Sequence, residues 1–164
     1  MTVHILSGNG ATARHTSPPI EIFRWLSEFR QGGGEGLLQD LFDRLRLHMG
    51  EAEADRVMSD ALALDNEIRF RRRGGLELRP RGDVFLSTDE AALAALIGHA
   101  HDLEAATAMA EKLGIGSHDT LRQHAASFAG SLREGGIEYE WEGAATAAMA
   151  VTAYTAPLRF GAGP

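Results

Sequence analysis

A chain of 164 residues with 44% hydrophobic content is sized for one domain with its own core. It has no cysteine, which excludes disulfides, thiolate-held zinc or iron–sulfur sites and a cysteine nucleophile. Its formal net charge of -7 argues against a dedicated duplex-DNA binder, because nonspecific affinity for DNA comes from cations set against phosphates.

The first residues, MTVHILSGNG, lack a basic region followed by an apolar run, so no signal peptide is expected. No segment has the length and apolarity of a membrane span. These features predict a cytoplasmic protein with no membrane partner. The abundance of Ala, Gly and Arg fits a GC-rich, bacterial genome.

Residues 1–19 read as a short strand at 3–6 and a loop, 20–156 as a single domain, and 157–164 as a frayed tail. A helix is predicted over 20–29, with Ile22, Phe23, Leu26 and Phe29 on one side. The run QGGGEG at 31–36 is a hinge. A second helix over 37–49 carries Leu38, Leu41, Phe42, Leu45 and Met49 as its stripe. A third, over 51–64, has acids in its first turn and buries Ala54, Val57, Met58, Ala61 and Leu62.

The stretch IRFRRRGGLELRPRGD at 68–83 then places six arginines in one short run. Ile68 and Phe70 alternate with charge, as do Leu76 and Leu78, which predicts a β-hairpin over 67–79. A three-residue loop with Gly75 in the left-handed position sets Phe70 opposite Leu78 and Arg71 opposite Glu77. Arg69, Arg71 and Arg79 share the outer face in that register and, with Arg72, form a candidate interaction surface. Residues 84–86 are a further strand candidate.

Ser87-Thr88-Asp89-Glu90 is a capping-box pattern opening a helix. Two readings follow: Gly98 and the polar run 99–102 break it, with Asp102 capping a second helix to Leu113, or one long helix runs through. Gly114 followed by Ile115 reads as a glycine stop, and the pattern recurs at Gly135, Gly136 and Ile137 after a helix from Ser117 to about Glu134. Beyond it Ile137, Tyr139 and Trp141 alternate with Glu138 and Glu140, the signature of a strand at 137–141. The expected class is α+β, with amphipathic helices packed on a small, mainly antiparallel sheet. Glu138 and Glu140 belong to the same candidate surface, because an acidic strand can face the arginines. Exposed cross-strand pairs contribute only about 0.2–1 kcal/mol each, so charge would select register more than add stability.

His99, His101, Asp102, His118, Asp119 and His124 form a second candidate site, since imidazole and carboxylate ligate zinc, iron or manganese. Their spacing matches neither HExxH nor a zinc finger, and His118 and His124 fall well apart around one helix. Solvent-facing turn residues and helix-start acids account for the same positions.

These features predict a non-enzymatic adaptor, inhibitor or regulatory protein. It would act on a protein partner, or on a second copy of itself, through the arginine-rich hairpin. Two readings compete with it: a small metal-dependent or histidine acid–base enzyme using 99–124, and an RNA- or phosphate-binding protein using the arginine face. No cofactor is expected beyond such a metal.

Overall fold

The computed structural model describes residues 17–116 and 119–138. Six helices follow one another there: α1 (Pro18–Glu28), α2 (Glu35–Met49), α3 (Glu51–Arg71), α4 (Thr88–Gly98), α5 (Leu103–Lys112) and α6 (Asp119–Glu134), with a π turn, Phe29–Gly33, between α1 and α2. No strand occurs among the described residues, so the expected α+β fold with a sheet is replaced by an all-helical one. The predicted strand at 3–6, and residues 139–141 of the strand predicted at 137–141, lie outside the described residues.

The predicted hairpin fails for a reason visible in α3. Its buried stripe, Ala54, Val57, Met58, Ala61, Leu64, Asp65 and Ile68, keeps helical spacing past Leu64. Asp65 pairs with Arg69 and Glu67 with Arg71, both at i,i+4, which holds the last turns in helix. Residues 67–71 are therefore the end of α3, and Phe70, placed in the core by the hairpin register, is 80% exposed. Gly75 does occupy the left-handed region, at φ 66°, but as a turn after the helix, with its N–H donating to the carbonyl of Arg72 at 2.8 Å.

The remaining local signals appear at their expected places. Ser87 and Glu90 form a reciprocal capping box, and Asp102 accepts the amide of Ala105 at the start of α5. The Gly114-Ile115 and Gly136-Ile137 stops each return the Ile amide to the carbonyl five residues earlier. Ile137 and Glu138 leave α6 in irregular backbone, so the strand predicted from 137 does not begin there.

Residues from all six helices build one core. At its centre Phe23 of α1 meets Phe128 of α6 edge to face, with ring centroids 5.9 Å apart. α6 runs antiparallel along α3: Arg56 pairs with Glu134 at 2.8 Å, and Ser127 bonds Asp60 at 3.0 Å. Arg72 lies beyond the far end of α3, roughly 24 Å along the axis from Arg56 at the helical rise. Glu138, just past α6, is thus at the opposite end of the bundle from the arginines it was expected to face.

Replacing Phe128 by Ala should cost about 3–5 kcal/mol, because it removes a fully buried ring. Replacing Phe70 by Ala should change stability by no more than about 0.5 kcal/mol. Urea melts of the two variants check the assignment; equal losses would place Phe70 in the core after all.

Candidate interaction site

The 16 residues between Arg71 and Thr88 contain no helix or strand, yet they are tightly held. This strap, 72–87, crosses from the end of α3 to the start of α4. Its anchor is Arg24, which stands on α1 among apolar neighbours with its side chain fully buried. Arg24 Nε and Nη2 form a two-pronged pair with Glu90, at 2.7 and 3.0 Å. Nη1 donates to Glu21 at 3.0 Å and to the carbonyl of Asp83 at 2.6 Å, and Nη2 also donates to the carbonyl of Phe85 at 2.8 Å. Five contacts match the five N–H groups that a guanidinium owns.

Glu90 is matched in the same way. Besides Arg24, its carboxylate accepts the amides of Arg79 at 2.9 Å and Ser87 at 2.8 Å. Both groups of this buried pair are therefore satisfied, the condition under which charge in a core is tolerated. Burial alone would lower the Arg24 pKa, but the hydrogen bond and charge of Glu90, joined by Glu21, outweigh it and raise the value above the ordinary one.

Asp89, beside Glu90, binds the first half of the strap. It accepts the Glu77 amide at 2.7 Å and Arg72 Nη1 at 3.0 Å, and the same Arg72 nitrogen reaches the carbonyl of Leu113 at 3.1 Å. Ser87 Oγ donates to the Glu77 carbonyl. The strap's return is tied to α1 by Arg81, which pairs with Glu28 and lies 3.8 Å over the Trp25 ring.

Of the predicted surface residues, Arg69, Arg71, Arg72 and Arg79 do not share a face. Arg69 and Arg71 belong to α3, and Arg72 and Arg79 to the strap. Each pairs with an acid of this chain: Asp65, Glu67, Asp89 and Asp83 respectively. Arg73 is exposed and makes no ion pair among the described residues. Glu138 is exposed at the other end of the bundle, and Glu140 lies outside the described residues.

The histidine cluster is partly described. His99 follows α4, with its Nε2 buried and unpartnered, while His101 and Asp102 are exposed in the turn before α5. Asp119 is exposed in the first turn of α6, His124 is half-buried one turn on, and His118 is outside the described residues. Among the described residues no three potential ligands come together. A cleft between α4, α5 and α6, lined in part by Leu96, Ala110 and Arg122, holds about 10 Å³, room for a single water.

Arg24 was not legible as functional or structural in the sequence, where it sits between Phe23 and Trp25 in an otherwise apolar stripe. An arginine at an inward helical position is the signal that could have found it. Asp65–Arg69 and Glu67–Arg71 carried the i,i+4 signal that could have extended α3.

No protein-family model matches this chain, and no curated protein or solved structure is significantly similar to it.

Two variants test the anchor. Arg24→Met leaves Glu90 buried without its cation and should cost about 3–5 kcal/mol in urea denaturation; a loss under about 1 kcal/mol would show that the pair does not hold the strap. Asp83 gives a pH test. The Phe85 amide lowers its pKa most, burial opposes this, and Arg79 and Arg24 add to the lowering, so it titrates below the ordinary 3.8. A depressed carboxylate stabilises fully above its unfolded pKa and loses that contribution as pH falls through the folded value. Asp83→Asn should therefore be less stable than the parent at pH 6, about two pH units above that ordinary value, and the gap should close in acid. A gap independent of pH would mean that charge at Asp83 does not tether the strap.

Proposed function

We propose that this chain is a non-enzymatic protein-interaction module that recognises a protein partner through the strap and the end of α3. One observation carries the reading: a long irregular segment is fastened from beneath by a buried ion pair while its outer side faces solvent. Loops beyond about 12–15 residues without secondary structure are uncommon in compact domains and are usually functional. Here the ordering cost of the segment is met before any partner arrives, which favours association. Large apolar side chains are exposed on and beside it, Val84 at 51% and Phe70 at 80%. The exposed Arg73 supplies charge without breaking an internal pair.

No helix of the described residues is long and apolar enough to cross a membrane. Cytoplasmic location is part of the same proposal.

A photo-crosslinking side chain placed at Val84 should give a discrete protein adduct in the native host, and one at Ser59, exposed on α3, should not. Adding Arg73→Glu should reduce the Val84 adduct several-fold without changing the melting temperature. Equal labelling at both positions, or no adduct at Val84, would overturn the reading.

A further inference from the structure

We infer that α2 is a hinged lid, which leaves the bundle as one unit while the other helices and the strap stay folded. Polar side chains fasten the other elements to one another. Arg24 ties α1 to α4, Arg30 ties the π turn to α3, and Arg56 and Asp60 tie α3 to α6. Arg72 joins α4 to the end of α5, and Arg122 of α6 reaches the carbonyl of Ala100 at 3.4 Å. In α2 the polar contacts are internal: Gln39 donates to Asp43 at 3.2 Å, and Arg46 pairs with Asp43 at 3.4 Å. Among the described residues no side-chain hydrogen bond or ion pair links α2 to another element. Its one charged contact outward is Arg44, 5.4 Å from the centroid of the Trp25 ring on α1.

Apolar packing therefore carries the attachment, and there is little of it. Of its 15 residues α2 buries Leu41 and Leu45, with Leu38, Phe42 and Met49 half-buried beside them. The 11-residue α4 buries seven. At the end of α2 the Met49 sulfur lies over Gly135, where a Cβ would stand 2.8 Å from it. Both ends of α2 are joints. Gly34 precedes it at φ 78° and ψ 161°, and Gly50 follows it at φ 94° and ψ 171°, a region of backbone space that glycine alone enters freely. No side chain caps the start of α2, and a Cβ added at Gly34 would meet nothing within 4 Å.

Sparse burial, the lack of a polar tether and glycine joints mark a segment that opens below the free energy of global unfolding. A released helix of this length is marginal in water, so α2 unravels as it leaves. Its departure bares the faces of α1 and α3 against which it packs and takes Arg44 from Trp25. The strap is kept, because the Arg24–Glu90 and Arg81–Glu28 pairs involve no residue of α2. Trp25 stands at the junction: it carries Arg44 of the lid and Arg81 of the strap. The open state thus presents a new apolar face on α1 beside a strap that is still in place.

The test is amide-resolved hydrogen exchange on the whole chain, in urea below the unfolding transition. The Leu41 and Leu45 amides of α2 should exchange about a hundredfold faster than those of Val57 and Leu64 in α3. Their rates should also rise less steeply with urea, because lid opening exposes less surface than unfolding. A core variant away from α2 separates the two routes. Phe128→Leu should quicken the α3 amides and leave the α2 amides unchanged, because the Phe23–Phe128 contact survives lid opening. Ile97→Val, a milder change at a buried position of α4, should do the same and serves if the first variant does not fold. Equal rates in α2 and α3 of the parent, or acceleration of α2 in step with α3 in either variant, would show that α2 unfolds only with the whole bundle and overturns the lid.

Discussion

A single buried ion pair organises the part of this protein that is not helix. Arg24 and Glu90 come from α1 and α4, and between them they use every guanidinium N–H and four acceptor positions of one carboxylate. Desolvating two charges is expensive, and replacing such a pair by apolar residues often leaves a protein as stable or more so. The pair is better understood through what it specifies. Its spare hydrogen-bonding capacity goes to the main chain at Arg79, Asp83, Phe85 and Ser87. An apolar pair of the same volume could hold α1 against α4 but could not fix those four backbone groups.

The capping box of α4 is drawn into the same arrangement. A Glu three residues into a helix ordinarily bonds the N-cap amide at the surface. Here Glu90 does that while buried, and the helix start becomes a platform to which the strap is bound. Asp89 adds a second platform residue facing outward to Glu77 and Arg72. Local capping and long-range tethering thus share two adjacent carboxylates, and the 16-residue connection is ordered without a sheet. The inner polar groups of the strap are thereby consumed by α4 and Arg24.

Much of the arginine charge that dominates the sequence is spent inside the molecule. Arg69 and Arg71 brace the end of α3, Arg72 joins the strap to α4 and α5, and Arg81 clamps it to Glu28 and Trp25. Within the π turn, Arg30 bonds Asp65 at 2.6 Å and Asn66 at 2.7 Å, so the glycine-rich connection is also pinned to α3. A cluster of like charges in sequence is therefore dispersed in space: Arg69, Arg71 and Arg79 pair within their own segments, and Arg72 and Arg81 with carboxylates of α4 and α1.

Sequence alone determined the features whose physics is local. The amphipathic stripes of α1 and α2, the Ser87 capping box, the Asp102 cap and the glycine stops at Gly114 and Gly136 depend on residues within a turn or two of each other. Between Ile68 and Leu78 the short alternation of apolar residues suited strand as well as helix, and the decision went to α3 because Leu64 and Ile68 are buried on one continuous stripe while Asp65 and Glu67 hold Arg69 and Arg71. Only the tertiary structure could pair Arg24 with a carboxylate 66 residues away and direct alternate amides of the strap to α4. Those contacts depend on which helices are neighbours, and helix adjacency is set by the packing of the whole core, which no local spacing encodes.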